Sequence, residues 1–219
     1  MYAISRLAIN GHESKPLANT FFKQDGGSDH LAIVLPGLSY RCNEPLLWYP
    51  SRVLLSLGAD ILWAEYAYDK VPDWMAANDQ AQKTWLFDDA SAAFQAVMSR
   101  KYERVTIVGK SLGTLAMGHL LTTQKFPESA KAVWLTPVLN DNDLRGQLEA
   151  IRLPSLLVIG SKDHYYDEAF LKRLRAKKTV EVQVIEGADH ILETKEGVIA
   201  SVDTLKMVTE SVRRFAGQT

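Results

Sequence analysis

The chain of 219 residues holds a single cysteine, Cys42, so no internal disulfide can staple it. Such a chain must be held by its apolar core, and a reducing, cytoplasmic compartment is expected. No run approaches the roughly 18 apolar residues that a membrane span needs. Residues 1–16 include Ser5, Arg6, Asn10, His12 and Glu13 and carry no apolar stretch of the kind found in signal peptides or anchors. No membrane partner is expected. Charge of one sign is also missing, since 25 basic residues face 26 acidic ones and no block of like charge occurs. That argues against nucleic acid as a partner and against an anionic surface. There is no repeat and no Pro/Gly/Ser linker. No His/Cys spacing suits a metal and no glycine-rich loop suits a phosphate, so neither metal nor cofactor is expected.

What remains is an ordinary globular composition, 47% hydrophobic and 23% charged. One domain spanning residues 1–219 is the simplest organisation. Residues 2–9 and 17–24 read as two strands of an antiparallel edge, and 24–30 as the turn that follows. From residue 31 onward, strands and helices alternate. Leu31 to Leu35 is a continuous apolar run, as a strand covered on both faces should be. A helix over 45–57 and a strand over 59–66 follow, then an irregular stretch over 67–80. The next helix covers 81–101. Strand 104–108, a helix to Gln124, strand 131–136, one small helix within 140–152, strand 155–159, helix 167–176, strand 180–185 and a last helix complete the chain. This alternation predicts an α/β fold with a parallel sheet and helices on both faces. In such sheets ligands bind beyond the C-terminal ends of the strands.

Three of those strand ends carry matched chemistry. Gly109-Lys110-Ser111-Leu112-Gly113 joins strand 104–108 to a helix. A G-x-S-x-G pattern arises by chance in a chain this long about one time in fifteen, but strand before and helix after is the setting that gives it meaning. Gly160-Ser161-Lys162-Asp163 follows strand 155–159, and Gly187-Ala188-Asp189-His190 follows strand 180–185. A serine hydroxyl is a weak nucleophile near neutrality. It needs a base within hydrogen-bond reach, and the base needs an acid to fix its tautomer. Ser111, His190 and Asp163 are the candidates for these roles. The Leu112 N–H at the helix start and the Leu38 N–H after Pro36-Gly37 are the candidate oxyanion donors.

The segments 35–38, 109–113, 160–163 and 187–190, in this order, resemble the α/β-hydrolase family over nearly the whole chain. That resemblance implies an eight-stranded, mostly parallel sheet and hydrolysis through an acyl-enzyme. It departs from many members in reading Leu-Pro-Gly where they have His-Gly. Only residues 137–154 separate the sixth and seventh strands, which leaves room for one short helix and no lid domain. A small soluble ester or thioester is the expected substrate class. A non-catalytic binding module on the same fold is the alternative, as is a peptidase or acyltransferase using the same triad.

Several assignments stay open at this stage. Asp141 and Asp143 are held in reserve as the acid. His164 adjoins Asp163 and is expected not to face it. His119 is expected to pack away from the apex, and His12 and His30 to lie in turns. Tyr40 and Trp74 are candidate substrate-binding residues, with Tyr66, Tyr68, Met75, Trp48 and Tyr49 as further aromatic and apolar lining. Lys110, beside the nucleophile, is expected to pair with an acid such as Glu65, or else to lend its field to an oxyanion or an acidic substrate. Nothing in the residues sets an oligomeric state.

Overall fold

The computed structural model describes residues 1–218; Thr219, the last residue of the expected domain, lies outside the described residues. Its frame is one sheet of eight strands: β1 (Tyr2–Ser5), β2 (Asn19–Gln24), β3 (His30–Leu35), β4 (Asp60–Ala64), β5 (Arg104–Lys110), β6 (Lys131–Leu135), β7 (Ser155–Gly160) and β8 (Val180–Ile185). They lie in the order β1-β2-β4-β3-β5-β6-β7-β8. The pairs β1–β2 and β2–β4 are antiparallel and all later pairs are parallel. Strand order reverses around β3, so the next strands are added on either side of it and leave a crevice at their C-terminal ends.

Period-two alternation divides the core between the two faces. Leu31, Ile33, Leu35, Ile107, Trp134, Leu157 and Ile159 pack to one side. That side is covered by α2 (Pro72–Ala76), α3 (Asp79–Met98), α4 (Leu112–Thr123), α5 (Asn142–Ala150) and α6 (Glu168–Arg175). Ala32, Val34, Ile61, Val108, Val133 and Val158 pack to the other. There α1 (Pro45–Ser56) and α7 (Val198–Gly217) supply Leu47, Leu54, Val208 and Val212. Strands with both faces buried read as unbroken apolar runs, which is why β3 could be recognised from its residues. Among the described residues, no helix is long and apolar enough to cross a membrane. Between β6 and β7 there is one helix, α5, and no lid.

Differences from the expected elements concentrate where side chains replace backbone pairing. The first strand stops at Ser5 instead of running to residue 9. The Asn19 amide does the work of a ladder there, accepting from the Leu7 N–H at 2.9 Å and donating to the Leu7 carbonyl at 2.9 Å. The stretch 67–80, expected to be irregular, contains a single 3-10 turn over Tyr68–Lys70 and the short α2, and α3 already starts at Asp79. Asn78 caps it by accepting from the Ala81 N–H.

His30 opens β3 instead of lying in a turn. It is 3% exposed, its Nε2 is 2.9 Å from Thr106 Oγ1, and its Nδ1 has no partner. Burial, aided by the nearby Arg104 charge, holds the imidazole well below its usual range, at about 4. In the unfolded chain it takes a proton near 6.5, so its neutral form stabilises the fold above that pH. This stabilisation is lost as pH falls from about 6.5 to about 4, by roughly 3 kcal/mol at most. His30→Gln is therefore expected to flatten this part of the acid limb when unfolding free energy is followed against pH. An unchanged limb would show that the imidazole titrates freely in the fold.

Candidate active site

The turn from β5 into α4 carries backbone strain. Ser111 has φ 51° and ψ −119°, a region that residues with a side chain rarely adopt. The turn is locked from both sides. The Ser111 N–H donates to the Leu135 carbonyl at 3.0 Å, and Thr114 donates its N–H and hydroxyl to the Ser111 carbonyl at 2.8 and 2.6 Å. The helix start also presses on the end of β3. A Cβ added at Gly113 would stand 2.1 Å from the Leu35 carbonyl oxygen, so only glycine fits there.

A second close approach joins the acid loop to the base loop. At Gly160 an added Cβ would come within 2.1 Å of the Ala188 carbonyl oxygen. The Lys162 N–H donates to that same carbonyl at 2.9 Å, and the Gly187 N–H donates to Ser161 Oγ at 2.9 Å. The two loops are therefore tied to each other through backbone and side chain. Asp163 is buried, with its side chain fully enclosed, and its Oδ1 accepts from the Tyr165 N–H at 2.9 Å.

The three side chains meet across this frame. His190 Nδ1 lies 2.8 Å from Asp163 Oδ2, and His190 Nε2 lies 2.8 Å from Ser111 Oγ. A carboxylate can only accept, so Nδ1 carries the proton and Nε2 is left to accept from the serine hydroxyl. The reserve acids are engaged elsewhere. Asp141 caps α5 through the Leu144 N–H, and both Asp141 and Asp143 bind Lys83. Asp189 shapes the loop by accepting from the Ile191 and Glu193 N–H groups.

His164 departs from expectation. The bend at Tyr165 swings its exposed ring back, so that Nδ1 is 3.7 Å from Asp163 Oδ1 and the ring centroid is 4.7 Å from that of His190. Donor atoms of Asp163, His164 and His190 lie within 4.8 Å of one another. A metal bridging Asp163 and His190 with bonds near 2.0–2.2 Å would have to open their hydrogen-bonded contact to more than about 3 Å, so the cluster as it stands suits a proton better. His119 packs on Phe87, rings parallel and 4.3 Å apart, away from the apex as expected.

The loop after β3 runs alongside Ser111. A Cβ placed on Gly37 would lie 3.4 Å from Ser111 Cβ. Leu38 follows, and neither its N–H nor that of Leu112 donates to a protein group among the described residues. Tyr40 is half-buried, with its hydroxyl accepting from the Leu46 N–H at 2.9 Å, and burial pushes the phenol up to about 12. Together with Leu46, Ile191, Val198 and Val202 it lines a cleft of about 430 Å³ between α1 and α7. Ile191 immediately follows the base. Tyr40 is expected near the site from the sequence; Leu46, Ile191, Val198 and Val202 are not, because they come from separate segments with no shared pattern.

Trp74 does not line this cleft. It is 3% exposed, in a parallel stack of Tyr66, Tyr68 and Trp74 with centroids 4.7 and 4.9 Å apart. The stack is core, and it reaches the loop through Tyr66, whose hydroxyl donates to the Pro36 carbonyl at 3.3 Å and whose carbonyl accepts from Arg41 at 3.5 Å. Trp48 and Tyr49 pair edge-to-face on the exposed side of α1. Lys110 is not paired with Glu65, whose carboxylate accepts from the Thr20 hydroxyl instead. It is 2% exposed and its ammonium lies 4.6 Å from the centre of the Tyr40 ring.

The sequence pattern of an alpha/beta hydrolase domain matches residues 52–217. No curated protein sequence matches. An esterase from Pyrococcus furiosus superposes with a TM-score of 0.69 at 17% identity, covering 99% of this chain and 92% of its own. A serine hydrolase without lid from Xanthomonas campestris gives 0.68 at 16% identity, covering 100% and 96%. Est1E of Butyrivibrio proteoclasticus, solved with ferulic acid bound, gives 0.67 at 13% identity, covering 98% and 97%. At these identities the superpositions speak for the fold.

The strain at residue 111 can be measured apart from any chemistry. Glycine adopts a positive φ freely, whereas alanine keeps the penalty. Ser111→Gly is expected to be more stable than Ser111→Ala by about 1 kcal/mol in urea unfolding, after allowing for the flexibility of unfolded glycine. Equal stability, or a more stable alanine variant, would mean the turn is relaxed.

Proposed function

The chain belongs to the α/β-hydrolase family, and from that premise we propose that it is a serine hydrolase cleaving a small soluble ester or thioester through an acyl-enzyme. The observation that carries this reading is the pair of 2.8 Å contacts centred on His190. His190 takes the Ser111 proton as Oγ attacks the carbonyl carbon. Asp163 holds the imidazole in the required tautomer and stabilises its cation. The carbonyl oxygen gains negative charge and is met by the Leu112 and Leu38 N–H groups, with the positive end of α4 behind it. Collapse expels the alcohol or thiol, which takes its proton from His190. Water then repeats the sequence and releases the acid.

The lidless crevice supports a small, soluble substrate over a long-chain lipid. A non-catalytic binding module would have no use for a strained serine held against a half-buried histidine oriented by a buried carboxylate, so catalysis is the better reading. The substrates of the structurally similar enzymes belong to those proteins. Here the nucleophile, base and oxyanion donors support acyl-group chemistry, and the lidless crevice favours a small ester or thioester within it.

The test combines intact mass with kinetics. Exposure to a fluorophosphonate should add one adduct to the wild type and none to Ser111→Ala. The same variant should lose turnover of short-chain p-nitrophenyl esters or acyl thioesters by several orders of magnitude while remaining folded. An Ser111→Ala protein with full turnover would rule out the acyl-enzyme.

A further inference from the structure

Among the described residues, Lys110 is the one buried cation beside the site, and the reaction sequence leaves it without a task. Its side chain follows the loop after β3. A Cβ on Gly37 would lie 3.4 Å from Lys110 Cδ and 3.4 Å from Ser111 Cβ, so lysine stem and nucleophile flank the same glycine. The ammonium then reaches the face of Tyr40, 4.6 Å from the ring centre. Among the described residues it makes no ion pair; the Asp163 and Asp189 carboxylates act on it only through their fields. Tyr40 closes the circuit, because its carbonyl accepts the Gly37 N–H at 3.0 Å and its hydroxyl is fixed by the Leu46 N–H. Lys110 thus passes beside Gly37 and ends on Tyr40, the two residues that bracket Leu38 and that are themselves joined by a hydrogen bond.

We propose that Lys110 is a positioning residue for the oxyanion loop: its stem supports Gly37 and its ammonium clamps the Tyr40 ring, keeping the Leu38 N–H directed at the oxygen bound beside Ser111. This rests on the serine-hydrolase reading above.

A charge is needed because a cation is drawn to an aromatic face where a methyl group gains only dispersion. Burying an ammonium costs stability, and a neutral side chain of similar length would pack at least as well. A group that costs stability in a core is more easily understood by what it does for the site. Burial also brings the ammonium down to about 8, with Asp163 and Asp189 opposing that shift. The ionisable groups that face it or act on it are Tyr40 from the loop after β3, Asp163 from the loop after β7 and Asp189 from the loop after β8. The flanking strands β3 and β6 present Leu35 and Leu135, which carry no charge. In its accessible range near pH 8, therefore, the clamp should release as Lys110 deprotonates.

The experiment compares wild type, Lys110→Met, Tyr40→Leu and the double variant, using p-nitrophenyl acetate turnover, the rate of fluorophosphonate labelling and thermal unfolding. Lys110→Met is expected to lower kcat and the labelling rate roughly tenfold to hundredfold with KM little changed and Tm equal or higher. Tyr40→Leu should show a similar loss in kcat, and the double variant should be no worse than either single one, because both remove the same contact. Wild-type kcat should fall as pH rises from 8 to 9.5, and this limb should be missing in Lys110→Met. A Lys110→Met enzyme within twofold of wild type, additive losses in the double variant, or a Tm that falls in step with activity would each overturn the proposal. These results would leave the serine-hydrolase reading intact, since wild type would still be labelled at Ser111. A wild type that neither labels nor turns over would sink both.

Discussion

Everything at the candidate site depends on how closely two backbone segments can approach where a side chain is missing. At Gly113 the first turn of α4 rests on the Leu35 carbonyl, and at Gly160 the end of β7 rests on the Ala188 carbonyl. Neither contact involves an ionisable group, yet both set the separations of the groups that do. The first brings the strained serine turn against the loop after β3. The second ties the Asp163 loop to the His190 loop. An error of 1 Å at either would break hydrogen bonds whose useful range is only a few tenths of an ångström.

Around that frame the site holds charge in an apolar setting. Asp163 is enclosed and Lys110 nearly so, with the half-buried His190 between acid and nucleophile. The carboxylate is compensated at once by a backbone N–H and by His190. The lysine is compensated only by an aromatic face and by the fields of two carboxylates. Burial, opposed only by those two fields, displaces the ionisation of the lysine downward.

Aromatic residues support the site mainly from behind. Tyr66, Tyr68 and Trp74 form a stack beneath the loop after β3, tied to it by the Tyr66 hydroxyl on the Pro36 carbonyl and by Arg41 on the Tyr66 carbonyl. Tyr40 alone among the expected aromatics both faces the cleft and touches the charged interior. Aromatic content in a loop therefore did not distinguish lining from core. The difference is made by which way the chain turns after Tyr66, and α2 directs Trp74 inward.

The sequence by itself determined the alternation of strands and helices from residue 31 on, because doubly buried strands must be apolar throughout and helices repeat their apolar positions every three to four residues. It also determined the order in which Ser111, Asp163 and His190 follow strand ends, since the small residues around each mark a turn the backbone could not otherwise make. Tertiary structure alone decided what meets across those turns: that Asp163 and not Asp141 or Asp143 reaches His190, that His164 bends back toward the acid, that Trp74 is core, and that Lys110 finds Tyr40 instead of Glu65. Periodicity and turn chemistry are local properties of a few consecutive residues. Pairings between residues tens of positions apart depend on strand order and on the exact approach of one loop to another, and no short stretch of sequence carries that distance.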